Sequence, residues 1–169
     1  MMDDINTSLQ LEEIEFGRWK RKNIRWIVLD VNNGIATIIT KKIITNQPFN
    51  SSGGDTSWET CSLRQWLNGD FYRRCFDEKE KERIALIRHD SIDITTEDVS
   101  DYVYLLSTDE VKKFLPDSIN RGLGTWWWLR TTCEITSRAC YIHDFGNIMI
   151  TGYYVDNYIG VRPVMQIKI

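Results

Sequence analysis

Residues 126–130 read Trp126-Trp127-Trp128-Leu129-Arg130, and the placement of this run decides the fold. Three adjacent tryptophans carry more apolar area than a chain leaves in water, and each buried ring stabilises the fold by roughly a few kcal/mol. As a strand, the run sends Trp126, Trp128 and Arg130 to one face and Trp127 and Leu129 to the other. Both faces then need cover, so the run predicts an interior strand with protein packed on each side.

Around this strand the sequence alternates short β patterns with long polar stretches. Residues 14–19 and 24–31 read as strands, and Asn32-Asn33-Gly34 is a hairpin turn that returns the chain through residues 35–40. Residues 42–45 extend the returning strand. Residues 46–60 lack periodicity and read as a loop. Leu63, Trp66, Leu67 and Phe71 recur at helical spacing, with Ser62 as N-cap and Gly69 as C-cap. Asp77 with Glu80, and Ser107 with Glu110, are capping boxes opening two further helices, the second stopping before Pro116. Residues 85–88 and 102–106 read as strands, and residues 89–100, 116–125 and 131–138 as loops. Later strands fall at 139–143 and 148–151, joined by the turn Asp144-Phe145-Gly146-Asn147. Residues 160–169 form one alternating, half-buried strand, with Pro163 at an edge or bulge.

The expected class is α+β: mostly antiparallel sheets, two or three short mid-chain helices and long loops. A length of 169 residues suits one domain burying roughly 70% of its unfolded surface. It is expected over residues 14–169, after a frayed segment at 1–13. A net charge of −3 argues against a nucleic-acid partner. No apolar run reaches the length of a signal core or a membrane span, which points to a cytoplasmic setting away from membranes. Cys61, Cys75, Cys133 and Cys140 contain no C-x-x-C pair, so free thiols are expected, with no metal and no cofactor.

Four blocks together resemble a known family. They are residues 58–72 (W-E-T-C-S-L-R-Q-W-L-N-G-D-F-Y), residues 103–111 with their Leu-Leu-Ser-x-x-Glu core, Trp127-Trp128-Leu129-Arg130-Thr131, and Gly160-Val161-Arg162-Pro163. In this order they resemble a family of bacterial domains of unknown function, number 6273, from about Phe16 to the C-terminus. That family is distantly similar to the C-type-lectin-like fold of the formylglycine-generating enzymes, which implies such a fold here but no activity. Calcium-dependent lectins of that fold carry E-P-N or Q-P-D and W-N-D motifs. Here Gln47-Pro48 runs into Phe49, and W-N-D is absent.

Catalytic pairings are weak. Cys140 and His143 lie an odd number of positions apart on a strand and face opposite sides. Cys133 and Cys140 flank a loop and read either as free thiols or as a disulfide or redox pair; the cysteine motif of the formylglycine-generating enzymes is not reproduced. Asp144-Phe145-Gly146 reads as a turn. Arg18, Lys20, Arg21, Lys22 and Arg25 form a basic cluster around Trp19 and Trp26, read as a charged hairpin end with inward tryptophans. Arg130 and Arg162 each follow apolar residues on late strands. They are either buried against carboxylates and carbonyls or converge on a polar-ligand pocket edged by Trp127, Tyr141, His143, Asp144 and Tyr153. The expected function is a non-catalytic module binding a protein or glycan through these late strands and loops. The alternatives are a formylglycine-generating-type enzyme acting on a polypeptide, and a purely structural domain.

Overall fold

The computed structural model describes residues 11–89 and 98–169. Two sheets carry the architecture. The first is antiparallel, in the order β1 (Glu13–Trp19), β2 (Lys22–Asn32), β3 (Ile35–Thr40), β11 (Val164–Lys168). The second runs β4 (Thr45–Gln47), β10 (Ile159–Val161), β7 (Trp127–Thr132), β8 (Arg138–Ile142), β9 (Ile148–Tyr154). Its only parallel contact is β10 with β7. A small antiparallel pair, β5 (Ile87–His89) and β6 (Val99–Asp101), flanks them. The α+β class with mostly antiparallel pairing is therefore correct.

Local chemistry explains the elements. Asn33 and Gly34 take φ of 50° and 74°, the left-handed pair that lets a two-residue turn follow the twist of β2 and β3. The helices lie between residues 62 and 121. α1 (Ser62–Trp66) passes through a π-helical turn (Leu67–Phe71) into α2 (Tyr72–Cys75), followed by α3 (Glu78–Arg83), α4 (Thr108–Phe114) and the single turn α5 (Ser118–Arg121). Both capping boxes form as the sequence indicates: Asp77 with Glu80, and Ser107 with Glu110.

Several boundaries differ from the sequence reading. Cys61, not Ser62, caps α1, accepting from the Arg64 N–H at 3.4 Å. Gly69 does not end the helix, because burial of Leu67 and Phe71 carries the chain through the π turn. Residues 42–45 do not prolong β3; the chain leaves the first sheet and enters the second as β4. Residues 102–106 make only one bridge, Tyr104 to Val164, and Leu105 and Leu106 serve as core. The 116–125 loop contains α5. Part of the 89–100 loop lies outside the described residues.

The largest correction concerns the C-terminal strand. It is split at Arg162-Pro163: β10 belongs to the second sheet and β11 to the first. Thr40 anchors the crossing, donating its N–H to the Pro163 carbonyl at 3.0 Å while its own carbonyl accepts from Arg162 Nε at 2.7 Å. Residues 159–165 are all buried, so there is no half-exposed alternation here.

β7 is interior, as the tryptophan run demands. Trp128 packs on Phe49, with ring centroids 5.8 Å apart, and donates to the Gln47 carbonyl at 2.9 Å. Trp127 receives the Arg162 guanidinium over its ring at 5.0 Å. Both rings have no exposed area.

Candidate functional site

The outer side of the second sheet carries a continuous aromatic surface. β7, β8 and β9 are in antiparallel register, with Trp128 opposite Tyr141 and Ala139 opposite Tyr153. Strand alternation then sends Tyr141 to the face opposite Cys140. Trp126 stacks on Tyr141, centroids 4.7 Å apart and planes 29° from parallel. It also meets His143 at 5.2 Å and Tyr153 at 5.4 Å. The chain of rings continues from His143 to Phe145 at 6.3 Å, and Tyr141 and Tyr153 meet at 6.1 Å. Arg138 and its register partner Tyr154 belong to the other face, that of Cys140, where Arg138 lies 4.6 Å over the Tyr154 ring and donates to its hydroxyl at 3.1 Å.

Exposure rises toward both ends. Tyr141 is 5% exposed, Tyr153 37% and Phe145 79%. Beside Trp126 a cleft of about 290 Å³ is lined by Asn46, Thr125, Trp126, Asp144 and Tyr158. Tyr158 is 76% exposed, and Asp144 is half-buried beside it. The surface thus combines exposed aromatic area with an adjoining cleft that Asp144 lines.

The expected site residues fall into two groups. Tyr141, His143 and Tyr153 lie together on this surface, and Asp144 lines the adjoining cleft. Trp127, Arg130 and Arg162 do not reach it. Trp127 is fully buried, with its indole N–H on the Arg121 carbonyl at 3.0 Å. Arg130 is held by both carboxylate oxygens of Glu110 and by the Leu105 carbonyl, and it lies 5.7 Å over the Tyr104 ring. Arg162 is 1% exposed, and burial lowers its pKa to about 10. The two arginines share no partner, so the expected convergence does not occur. The side chains that the sequence reading passed over are Trp126, Phe145 and Tyr158. Their signal was the density of aromatics from 141 to 158, undecidable without the register that says which pleat faces outward.

A separate polar cluster is built on Asp101, which has no exposed area. Its carboxylate accepts from Arg64 Nε at 2.7 Å, Trp58 Nε1 at 2.8 Å and Asn68 Nδ2 at 3.2 Å. His89 Nε2 approaches it at 3.5 Å, and burial and then the Arg130 charge lower the imidazole pKa. These bonds tie α1 and the π turn to β6, and the cluster serves as a structural tie. The basic hairpin end has its tryptophans inward: Trp26 has no exposed area and Trp19 packs on Trp66 and Phe71. Among the described residues no group of three or more His, Cys, Asp or Glu could hold a metal ion. No helix among them is long and apolar enough to cross a membrane.

A family model described as a domain of unknown function, DUF6273, matches residues 33–124, more than half of the chain. The chain belongs to this family. The match runs from the β2–β3 turn to just before the tryptophan run, so it is shorter than the span from Phe16 to the C-terminus. DUF6273 membership thus covers the helices and the Asp101 tie, while the aromatic surface lies largely outside the matched segment. No curated protein and no solved structure matches the chain.

Proposed function

We propose that this DUF6273 chain is a non-catalytic binding module whose aromatic surface takes a polypeptide segment carrying a basic side chain. The observation that carries this reading is the series of ring contacts from Phe145 through His143 and Trp126 to Tyr153, exposed at both ends. Rigid aromatic side chains supply large contact area at low entropic cost and dominate protein-recognition energetics. Asp144 in the cleft beside Trp126 and Tyr158 offers the counter-charge for a lysine or arginine. β9 is a sheet edge, but Gly152 takes φ of 69° and breaks its register, so a partner lies across the face and does not add a strand.

The enzyme alternative needs an accessible cysteine of low pKa. Burial raises all four thiols, which supports the binding reading. The same proposal includes a C-type-lectin-like fold, a bacterial source and a cytoplasmic setting. The first rests on the Trp-rich β7 and the Gly-Val-Arg-Pro block, and the last on four free thiols.

The test is affinity capture from the source cell's lysate, followed by titration of the purified captured partner against three proteins. These are the intact domain, Phe145→Ser/Tyr158→Ser, and Asp144→Asn. Each substitution lies on exposed or half-exposed surface. A polypeptide partner weakened about tenfold or more by the double variant, roughly 1.4 kcal/mol, supports the reading. Unchanged affinity refutes the site, and a captured ligand that is a glycan refutes the polypeptide assignment.

A further inference from the structure

On the face of β8 opposite the aromatic surface, the Cys133 and Cys140 sulfurs lie 3.4 Å apart. We propose that these two thiols form a thiol–disulfide exchange site, which takes a low-molecular-weight disulfide as oxidant and closes to an intramolecular disulfide. This inference stands apart from the binding surface. A cleft of about 530 Å³ leads to the pair and is lined by both cysteines with Thr108, Thr131, Glu134 and Arg138. That volume falls in the range of small-molecule sites, and its polar rim suits the charged ends of a small peptide disulfide.

The two sulfurs have unequal roles. Cys133 is half-buried, whereas Cys140 is 2% exposed. Cys133 is therefore the attacking thiol and Cys140 the resolving one. Burial raises the Cys133 pKa, but the Cys140 thiol and the Arg138 charge both favour its thiolate. Cys140 is pushed up to about 12 by burial and by its neighbour, so Cys133 loses its proton first.

In the first step the Cys133 thiolate attacks one sulfur of the small disulfide. A Cys133–sulfur bond forms, the small disulfide bond breaks, and one small thiolate leaves and takes up the proton that Cys133 released. In the second step the Cys140 thiolate attacks Cys133 Sγ, and the second small thiol departs with the proton from Cys140. Two protein thiols are oxidised and one small disulfide is reduced to two thiols. Closing from contact to a bond near 2.0 Å needs an approach of about 1.4 Å. The turn at residues 134–137 separates the two strands, and its first three residues are exposed, so it can supply that movement.

Cys61 and Cys75 provide internal controls. They are 0% and 3% exposed, and burial pushes both thiols up to about 12. The experiment exposes the intact protein to oxidised glutathione at about pH 8, then reads mass and alkylatable thiols without reduction. The expected product is lighter by two hydrogens, retains two alkylatable thiols and yields a Cys133–Cys140 linked peptide. Cys140→Ser should stop at glutathione joined to Cys133, Cys133→Ser should do neither, and Cys61→Ser/Cys75→Ser should react at the wild-type rate. Four alkylatable thiols in the wild-type protein, under conditions that oxidise a simple dithiol completely, overturn the proposal. So does a linkage through Cys61 or Cys75, or a folded Cys140→Ser protein that traps no glutathione on Cys133.

Discussion

Replacing Asp101 with alanine should be among the most damaging single substitutions in the chain. Its fully buried carboxylate accepts from Arg64, Trp58 and Asn68. Removing one partner of a buried ion pair costs about 3–5 kcal/mol, because the remaining charge stays desolvated. Arg64 is 21% exposed and keeps the Glu59 and Ser100 carbonyls at 3.1 and 3.3 Å, which places its share near the lower bound. The orphaned Trp58 N–H adds about 1 kcal/mol. The expected loss is therefore about 3–4 kcal/mol, a fall in Tm of roughly 6–16 °C for a domain of this size. Urea unfolding followed by tryptophan fluorescence should show a lower midpoint at an unchanged slope. Asp70→Ala is the control: its bond to Arg73 is equally short at 2.7 Å but both side chains are more than half exposed, so it should cost about 0.5 kcal/mol or less. An Asp101→Ala protein within about 1 kcal/mol of wild type would falsify the assignment of Asp101 as the tie between helix and strand.

Other substitutions and conditions test separate parts of the structure. Gly152→Ala should cost about 2–4 kcal/mol by urea unfolding: its φ is 69°, and a Cβ there would sit 2.3 Å from Cys133 Sγ and 2.8 Å from the Ala139 carbonyl. Arg162→Met should fall within about 1 kcal/mol of wild type, because among the described residues both Nη atoms lack hydrogen-bond partners, and loss of the bond to Thr40 and of the stacking on Trp127 is offset by no longer burying a charge; Arg162→Ala should cost about 2–4 kcal/mol through the cavity it leaves. His89 is held neutral below the ordinary imidazole value of 6.5 by burial and then by Arg130. The unfolded chain then binds the proton first, so stability is full above about pH 6.5 and declines as pH falls below it, and His89→Phe should flatten that decline. Glutathione-driven oxidation of Cys133 should speed up about tenfold per pH unit between roughly pH 7 and 8, because burial leaves its thiolate scarce; a pH-independent rate would contradict Cys133 as the attacking thiol.

Much of the fold was legible because its signals are local. Asn33-Gly34, the two capping boxes and the paired faces of the tryptophan run each act within a few residues. What stayed hidden depends on long-range pairing. Pro163 marks a bulge in the sequence, but only Thr40, more than 120 positions away, makes it the crossing between two sheets. Gly69 looks like a helix end by residue type, yet Phe71 must be buried and the π turn accommodates it. The same limit governed the site. Trp126 and Trp127 are indistinguishable as neighbours; only the folded chain sets Trp126 against Tyr141, His143 and Tyr153 and buries Trp127 completely. Arg130 and Arg162 carried charge on apolar strands, the pattern of a pocket and equally of buried ties; Glu110 and Thr40 fix the second.

Site-resolved photo-cross-linking tests the aromatic surface most directly. A photoreactive phenylalanine derivative would replace Phe145, Tyr153 or Tyr158 in turn, with Val31, 52% exposed on the first sheet, as the control position. Irradiation in the source cell should join the same polypeptide to all three surface positions and leave the Val31 protein unlinked. Equal linkage from Val31, or none from the three surface positions, would contradict the binding-face assignment.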